Sequence, residues 1–109
     1  MLSQKYLKSS AFKLSNKILK SKLNKEFFIK PYKHLIIDNV IDDSFANLCL
    51  KNFPSLDNKK NWNKSNLKSI EVKYRSNWES EFDIPKGLLE FVRILNSSII
   101  LKSLSEKFS

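Results

Sequence analysis

The chain has 109 residues and a formal net charge of +9, a length that fits one domain with a modest core. One Cys excludes an intrachain disulfide, one His excludes a multi-histidine metal site within one copy, and one Gly excludes phosphate-binding loops of the GxGxxG and P-loop types. No apolar run reaches the roughly 18 residues that a transmembrane helix requires. Residues 1–33 hold nine Lys and one acid, Glu26, so +8 of the charge lies in this segment.

Residues 5–23 are predicted to form a basic amphipathic helix. Its apolar stripe has helical spacing, and most of its lysines lie off that stripe: Leu7, Ala11, Leu14 and Ile18. The favoured interpretation is a surface helix that packs one face on the rest of the protein. The alternatives are a helix that binds an anionic membrane or RNA, or a mitochondrial transit peptide, although transit peptides favour Arg.

The next segment predicts a buried strand followed by a helix. Residues 34–38 (HLIID) are apolar and β-branched, which is typical of a buried strand. Asp42 and Asp43 can cap a helix over 43–53, and Pro54 would end it. The apolar side of that helix comprises Phe45, Leu48, Cys49 and Phe53.

The second half of the chain predicts one strand and two helices. Residues 55–66 form a polar loop that contains Trp62, and 67–74 alternate as a half-buried strand with Ile70, Val72 and Tyr74 on one face. Pro85 is expected to begin a helix that ends near Leu95. Ser97 or Ser98 can cap the last helix, whose apolar side comprises Ile100, Leu101, Leu104 and Phe108.

This order predicts an α+β fold. It divides the chain into a basic N-terminal helix, residues 1–30, and a second segment, residues 31–109. A sheet of two strands is marginally stable alone. The helices are therefore expected to cover a larger sheet that lies outside these residues.

Several residue groups could carry chemistry, but each has a simpler structural interpretation. In chain order they are His34, the Asp42–Asp43 pair, Cys49, the aromatic residues Trp62, Tyr74 and Trp78, and the acidic loop of Glu79, Glu81 and Asp83. A lone His at a strand start, a Cys on an apolar helix face and acids at a helix start are typical of packing and capping. We therefore predict no catalytic, cofactor-binding or metal-binding residue in this chain.

Residues 31–43 (PYKHLIIDNVIDD) resemble the opening segment of prolyl 4-hydroxylase-like oxygenases, which depend on iron(II) and 2-oxoglutarate. Further similar features follow in order through residue 108: the Phe53-Pro54 pair, a loop with a Trp, a charged strand, a Pro-started helix and Leu95-Asn96-Ser97. The resemblance implies a segment of helices and strands that covers a double-stranded β-helix barrel. In the family, a His-x-Asp pair and a distal His hold the iron, and a later Arg or Lys binds 2-oxoglutarate. This chain has Ile36 two residues after its only His, so none of these roles can be assigned to it.

The sequence therefore predicts the N-terminal, barrel-covering part of a dioxygenase, without hydroxylase activity of its own and with the catalytic barrel as its partner. Five apolar residues are expected to be only partly covered in this chain: Ile36, Phe45, Phe53, Val92 and Leu101. One alternative is a small basic protein that binds nucleic acid or an anionic membrane through residues 5–23. Another is an adaptor whose apolar faces belong to a partner. With no signal or membrane span recognised, a cytoplasmic location is expected.

Overall fold

The computed structural model describes residues 2–67 and 71–109, which form a mixed fold of the α+β class. The helices of these residues are α1 (Gln4–Leu19), α2 (Asp43–Lys51), α3 (Lys86–Leu95) and α4 (Ser98–Phe108). The strands are β1 (Phe27–Phe28), β2 (His34–Leu35), β3 (Trp62–Leu67) and β4 (Glu71–Ser76). A 3-10 turn, Glu81–Asp83, precedes α3.

Helix α1 lies at the centre of the core, against α3 and α4. The predicted stripe is confirmed, because Ala11, Leu14 and Ile18 are buried and contact the cluster that includes Ile94 and Ile100. This agrees with the favoured interpretation of a helix that packs one face on the rest of the protein.

The ends of α1 are fixed by two serines. Ser3 accepts a hydrogen bond from the Tyr6 backbone N–H at 3.1 Å. Ser21 donates its hydroxyl to the Ile18 carbonyl at 2.7 Å, so the helix ends four residues before the predicted boundary. A further polar contact joins α1 to α4, where the buried hydroxyls of Ser15 and Ser103 lie 2.5 Å apart.

Phe45 on α2 corrects one prediction. It was expected to be partly covered, but it is only 1% exposed. The rings of Tyr6 and Phe91 cover it at centroid distances of 6.0 and 6.2 Å. Since both rings come from segments distant in the chain, the pattern within residues 43–53 could not predict this burial.

The predicted strand over 34–38 is wrong beyond Leu35. Strand β2 pairs antiparallel with β1, with Phe27 opposite Leu35 and Phe28 opposite His34. Because β1 has only two residues, the pairing stops there, although the Ile36 N–H still donates to the Glu26 carbonyl at 2.8 Å. Ile36 is 58% exposed rather than buried.

The predicted loop over 55–66 is also wrong in its last part. Strand β3 pairs antiparallel with β4, from Trp62 opposite Ser76 to Leu67 opposite Glu71. The predicted strand over 67–74 is right only for 71–74, which belong to β4, because Leu67 is the last residue of β3. The part of that prediction that rests on Ile70 lies outside the described residues. Polar residues are compatible with strand β3 because two of them, Asn63 and Lys64, are exposed.

The molecule is a flat layer, with dimensions of 40 × 39 × 24 Å. Its radius of gyration is 16.6 Å, against about 13 Å for a compact domain of this length. Within the described residues, each sheet has only two strands. No helix among those residues is both long enough and apolar enough to cross a membrane.

Candidate functional site

His34 lies in an aromatic stack at the β1–β2 hairpin. Its ring is parallel to that of Phe28 at 4.9 Å and tilted against Tyr32 at 5.4 Å. Its Nδ1 lies 2.8 Å from the Tyr32 carbonyl oxygen. A carbonyl can only accept, so this nitrogen carries the proton. These contacts give His34 a structural role, as the sequence predicts.

Asp42 is the N-cap of α2, as predicted, and it also connects α2 to α1. One carboxylate oxygen accepts from the Phe45 N–H at 3.0 Å and the Ser44 hydroxyl at 2.8 Å. The other accepts from the Tyr6 hydroxyl. The Tyr6 and Phe45 bonds hold the pKa of Asp42 below its ordinary value, and the Tyr6–Asp42 bond raises the pKa of Tyr6. Capping thus accounts for this carboxylate.

The acidic loop is held by internal hydrogen bonds. Asp83 accepts from the Glu79 and Ser80 backbone N–H groups at 3.0 and 3.2 Å. Glu81 is paired with Arg93 through two bonds of 3.3 and 3.0 Å. The Arg93 bond lowers the pKa of the Glu81 carboxyl and raises that of Arg93. Both side chains are more than half exposed, so the pair contributes little to stability.

The aromatic residues form one cluster and one separate contact. Trp62 lies 5.8 Å from Phe53 and 6.3 Å from Trp78, measured between ring centroids. The Trp78 indole N–H donates to the Asn61 side chain at 3.1 Å. Tyr74 instead lies under the Lys64 ammonium, at 5.9 Å from the ring centroid. The cluster therefore anchors the hairpin to the C-terminal end of α2, and Tyr74 is not part of it.

Cys49 is half-buried where α2 meets α3, with its Sγ 3.6 Å from the Gly87 carbonyl oxygen. Burial raises the pKa of the Cys49 thiol, and the Glu90 carboxylate raises it further. A raised pKa leaves little thiolate at neutral pH, so this thiol is a poor nucleophile.

The structure does not bring these groups together into a single site. In the part of the chain that it describes, no three His, Cys, Asp or Glu side chains are arranged to hold a metal ion.

Sequence reasoning missed a second apolar stripe on α1. Phe12 and Leu19 are 50% and 42% exposed. Their spacing of seven residues places them on the same side of the helix, and Lys5 and Lys8 lie seven and four residues before Phe12 on that side. The seven-residue spacing of Phe12 and Leu19 is visible in the sequence, but the prediction used only the longer apolar stripe that includes Ile18.

A groove of about 600 Å³ borders this stripe, between α1 and the junction of α3 with α4. Its walls are mainly apolar and include Leu7 and Phe12, and the charged residues Lys8, Arg93 and Glu90 are also in the lining. Lysine ammonium groups and apolar side chains therefore occur together on this side of the molecule.

Searches with this chain find no match among protein-family models, among curated proteins or among solved structures.

Proposed function

We propose that this chain is the layer of an iron(II)- and 2-oxoglutarate-dependent oxygenase that covers the catalytic barrel. It supports the barrel and carries no chemical step. The observation that carries the proposal is the flat shape of the molecule combined with its exposed apolar side chains. The resemblance of residues 31–43 to the family's opening segment is the reason for naming the barrel.

Apolar side chains are exposed at three of the positions where a barrel would cover them. Ile36, Phe53 and Leu101 are 58%, 54% and 52% exposed. Val92 is half-buried. Burying an exposed aliphatic or aromatic side chain contributes about 1–2 kcal/mol, so covering several of them would stabilise an assembled domain strongly.

The two small sheets support the same proposal. A two-stranded ribbon is marginally stable in water, and further strands or a covering layer usually stabilise it. Ile36 follows directly after β2, and its side chain is exposed. A strand paired beside β1–β2 would extend this sheet, and a layer packed on its face would cover Ile36.

The residues present do not fit the family's iron and 2-oxoglutarate sites. His34 packs against the rings of Phe28 and Tyr32, and it is followed two residues later by Ile36 rather than by an Asp, so it does not form a His-x-Asp pair. We therefore assign the cofactors to the barrel and derive no step of the reaction from this chain.

The test is to sequence the locus beyond codon 109 and translate several hundred bases in all three forward frames. We expect a His-x-Asp pair followed by a distal His and a later Arg or Lys. Absence of this pattern in every frame would overturn the proposal.

A second test uses the protein. The encoded barrel should form a soluble complex when it is co-expressed with this chain. An Ile36→Lys variant should weaken that complex, because a charge would be placed in the contact. The matched control is Lys59→Ile, which changes the exposed 55–61 loop instead. Equal behaviour of the two variants would contradict the proposed contact.

A further inference from the structure

We propose that the outer side of α1 is a docking surface for the anionic face of a phospholipid bilayer. The docking surface comprises the exposed stripe of Phe12 and Leu19 on α1, the neighbouring lysines Lys5 and Lys8, and the exposed Leu23 just beyond the helix. This inference does not depend on the proposed barrel, because it rests on different residues.

The apolar part of the docking surface is available for insertion into the bilayer boundary. Phe12 and Leu19 are half exposed along one side of α1, and Leu23, just beyond the helix, is 59% exposed. Large apolar side chains on a helix that also carries many lysines are typical of interfacial membrane binding.

The charged part of the docking surface complements anionic headgroups. Residues 1–33 contain nine Lys and a single acid, Glu26. The Glu26 carboxylate accepts a hydrogen bond from the Lys22 backbone N–H at 3.1 Å and lies beyond the end of α1. Each lysine held near an anionic bilayer adds to the attraction, so a cluster of them gives strong, salt-sensitive binding.

The lysines on the other side of α1 have different neighbours. The Lys17 ammonium donates to the Asp38 carbonyl at 3.3 Å and to the Asn39 carbonyl. Lys13 lies near the Asp42 carboxylate and lowers the pKa of that group. Lys13 and Lys17 therefore lie beside other groups of the protein, on the side of α1 away from Phe12 and Leu19.

The residue types favour a bilayer over a nucleic acid. Eighteen of the twenty basic residues are Lys, and specific nucleic-acid contacts favour the planar fork of Arg. Leu19 and Leu23 offer no stacking surface for a base, but both would gain free energy by entering the lipid boundary.

The buried stripe of α1 limits how this helix can bind lipid. The stripe is part of the core, since Ala11, Leu14 and Ile18 are only 6%, 4% and 3% exposed. Helix α1 can therefore bind lipid as part of the folded protein, through its outer side alone. Binding of this kind is shallow and reversible.

The experiment is co-sedimentation of the full chain with vesicles of phosphatidylcholine alone, or with phosphatidylserine added at about one part in three. We expect binding to the anionic vesicles at about 50 mM salt and a large loss at about 300 mM. Lys5→Gln/Lys8→Gln should bind about thirtyfold more weakly. Phe12→Gln/Leu19→Gln should bind at least about tenfold more weakly.

Two matched controls test whether binding depends on the docking surface itself or only on the total charge and on exposed apolar side chains elsewhere. Lys59→Gln/Lys60→Gln removes the same charge from another exposed segment, and Leu50→Gln removes a side chain that is 75% exposed on α2. Both should bind as the unaltered chain does, and circular dichroism should show that every variant is folded. The proposal is overturned if anionic vesicles do not bind at low salt, or if the controls weaken binding as much as the α1 variants. Tighter binding to single-stranded RNA that is insensitive to Phe12→Gln/Leu19→Gln would also overturn it.

Discussion

Gly87 is a residue at which α3 lies very close to the C-terminal end of α2. A Cβ atom added there would lie 2.3–2.6 Å from three side-chain atoms of Asn52, including its Cβ. Since the Asn52 Cβ is fixed to the backbone, rotation of the side chain cannot relieve the contact. The absence of a side chain at Gly87 thus allows the two helices to pack.

Gly87→Ala should destabilise the protein by about 1–3 kcal/mol, even though Ala is a better helix former. Urea-induced unfolding measures the difference. The double variant Gly87→Ala/Asn52→Gly removes the opposing Cβ and should recover most of the loss. A single variant more stable than the unaltered chain would contradict the close approach.

Asp42 should make stability depend on pH. Its pKa is lowered in the folded state, so its contribution is present above the ordinary value of 3.8 and is lost as the pH falls through the folded-state pKa. Asp42→Asn should therefore lower the unfolding temperature near neutral pH and have a smaller effect in acid.

Thermal unfolding of both chains across the acidic range checks this pH dependence. Tyr6→Phe removes the main hydrogen bond that lowers the Asp42 pKa, so it should reduce the dependence. A difference between Asp42→Asn and the unaltered chain that stays constant with pH would rule out this role.

Helix α1 offers a direct comparison of its two sides. Ile18 is 3% exposed in the core, whereas its neighbour Leu19 is 42% exposed. Ile18→Ala should destabilise the protein by about 2–4 kcal/mol, and Leu19→Ala by less than about 1 kcal/mol. Denaturant unfolding of the two variants measures this contrast, and equal effects would mean that α1 does not pack through the Ile18 side.

The helices could be predicted from the sequence because each has a local signal. The stripe through Ala11, Leu14 and Ile18 and the cap at Asp42 need only neighbouring residues to be recognised. Strand β3 could not be predicted in this way, because it is identified by its pairing with β4 and its sequence, which includes the exposed Asn63 and Lys64, has no apolar alternation.

The structural roles predicted for Asp42 and His34 agree with the fold, because both roles depend on residues that are close in the chain. Asp42 caps the helix that follows it, and His34 bonds to the carbonyl of Tyr32 two residues away. The link between Tyr6 and Asp42 joins residues 36 positions apart, and no periodic pattern contains that information. The burial of Phe45 depends on the same long-range packing.

The molecule as a whole leaves many large apolar side chains in water, among them Phe82 at 99% and Leu50 at 75% exposed. We expect the purified chain to bind a hydrophobic dye and to aggregate with increasing concentration. Replacing Ile36, Phe53 and Leu101 with Ser should reduce both effects. Dye fluorescence and light scattering measure them.

The replacements of Ile36 and Leu101 should change the unfolding free energy little, since both side chains are more than half exposed, whereas the replacement of Phe53 also removes the contact with Trp62. Replacing Phe45 with Ser is the opposite control, because that side chain is fully buried. It should unfold the protein and increase dye binding. A chain that binds no dye before any replacement would contradict an exposed apolar layer.

The contact between Ser15 and Ser103 joins residues 88 positions apart, in the first and last helices. During synthesis on the ribosome, α1 is made well before α4. The side of α1 that packs on α4 therefore remains uncovered until α4 has been translated, and a chaperone would protect it in that interval.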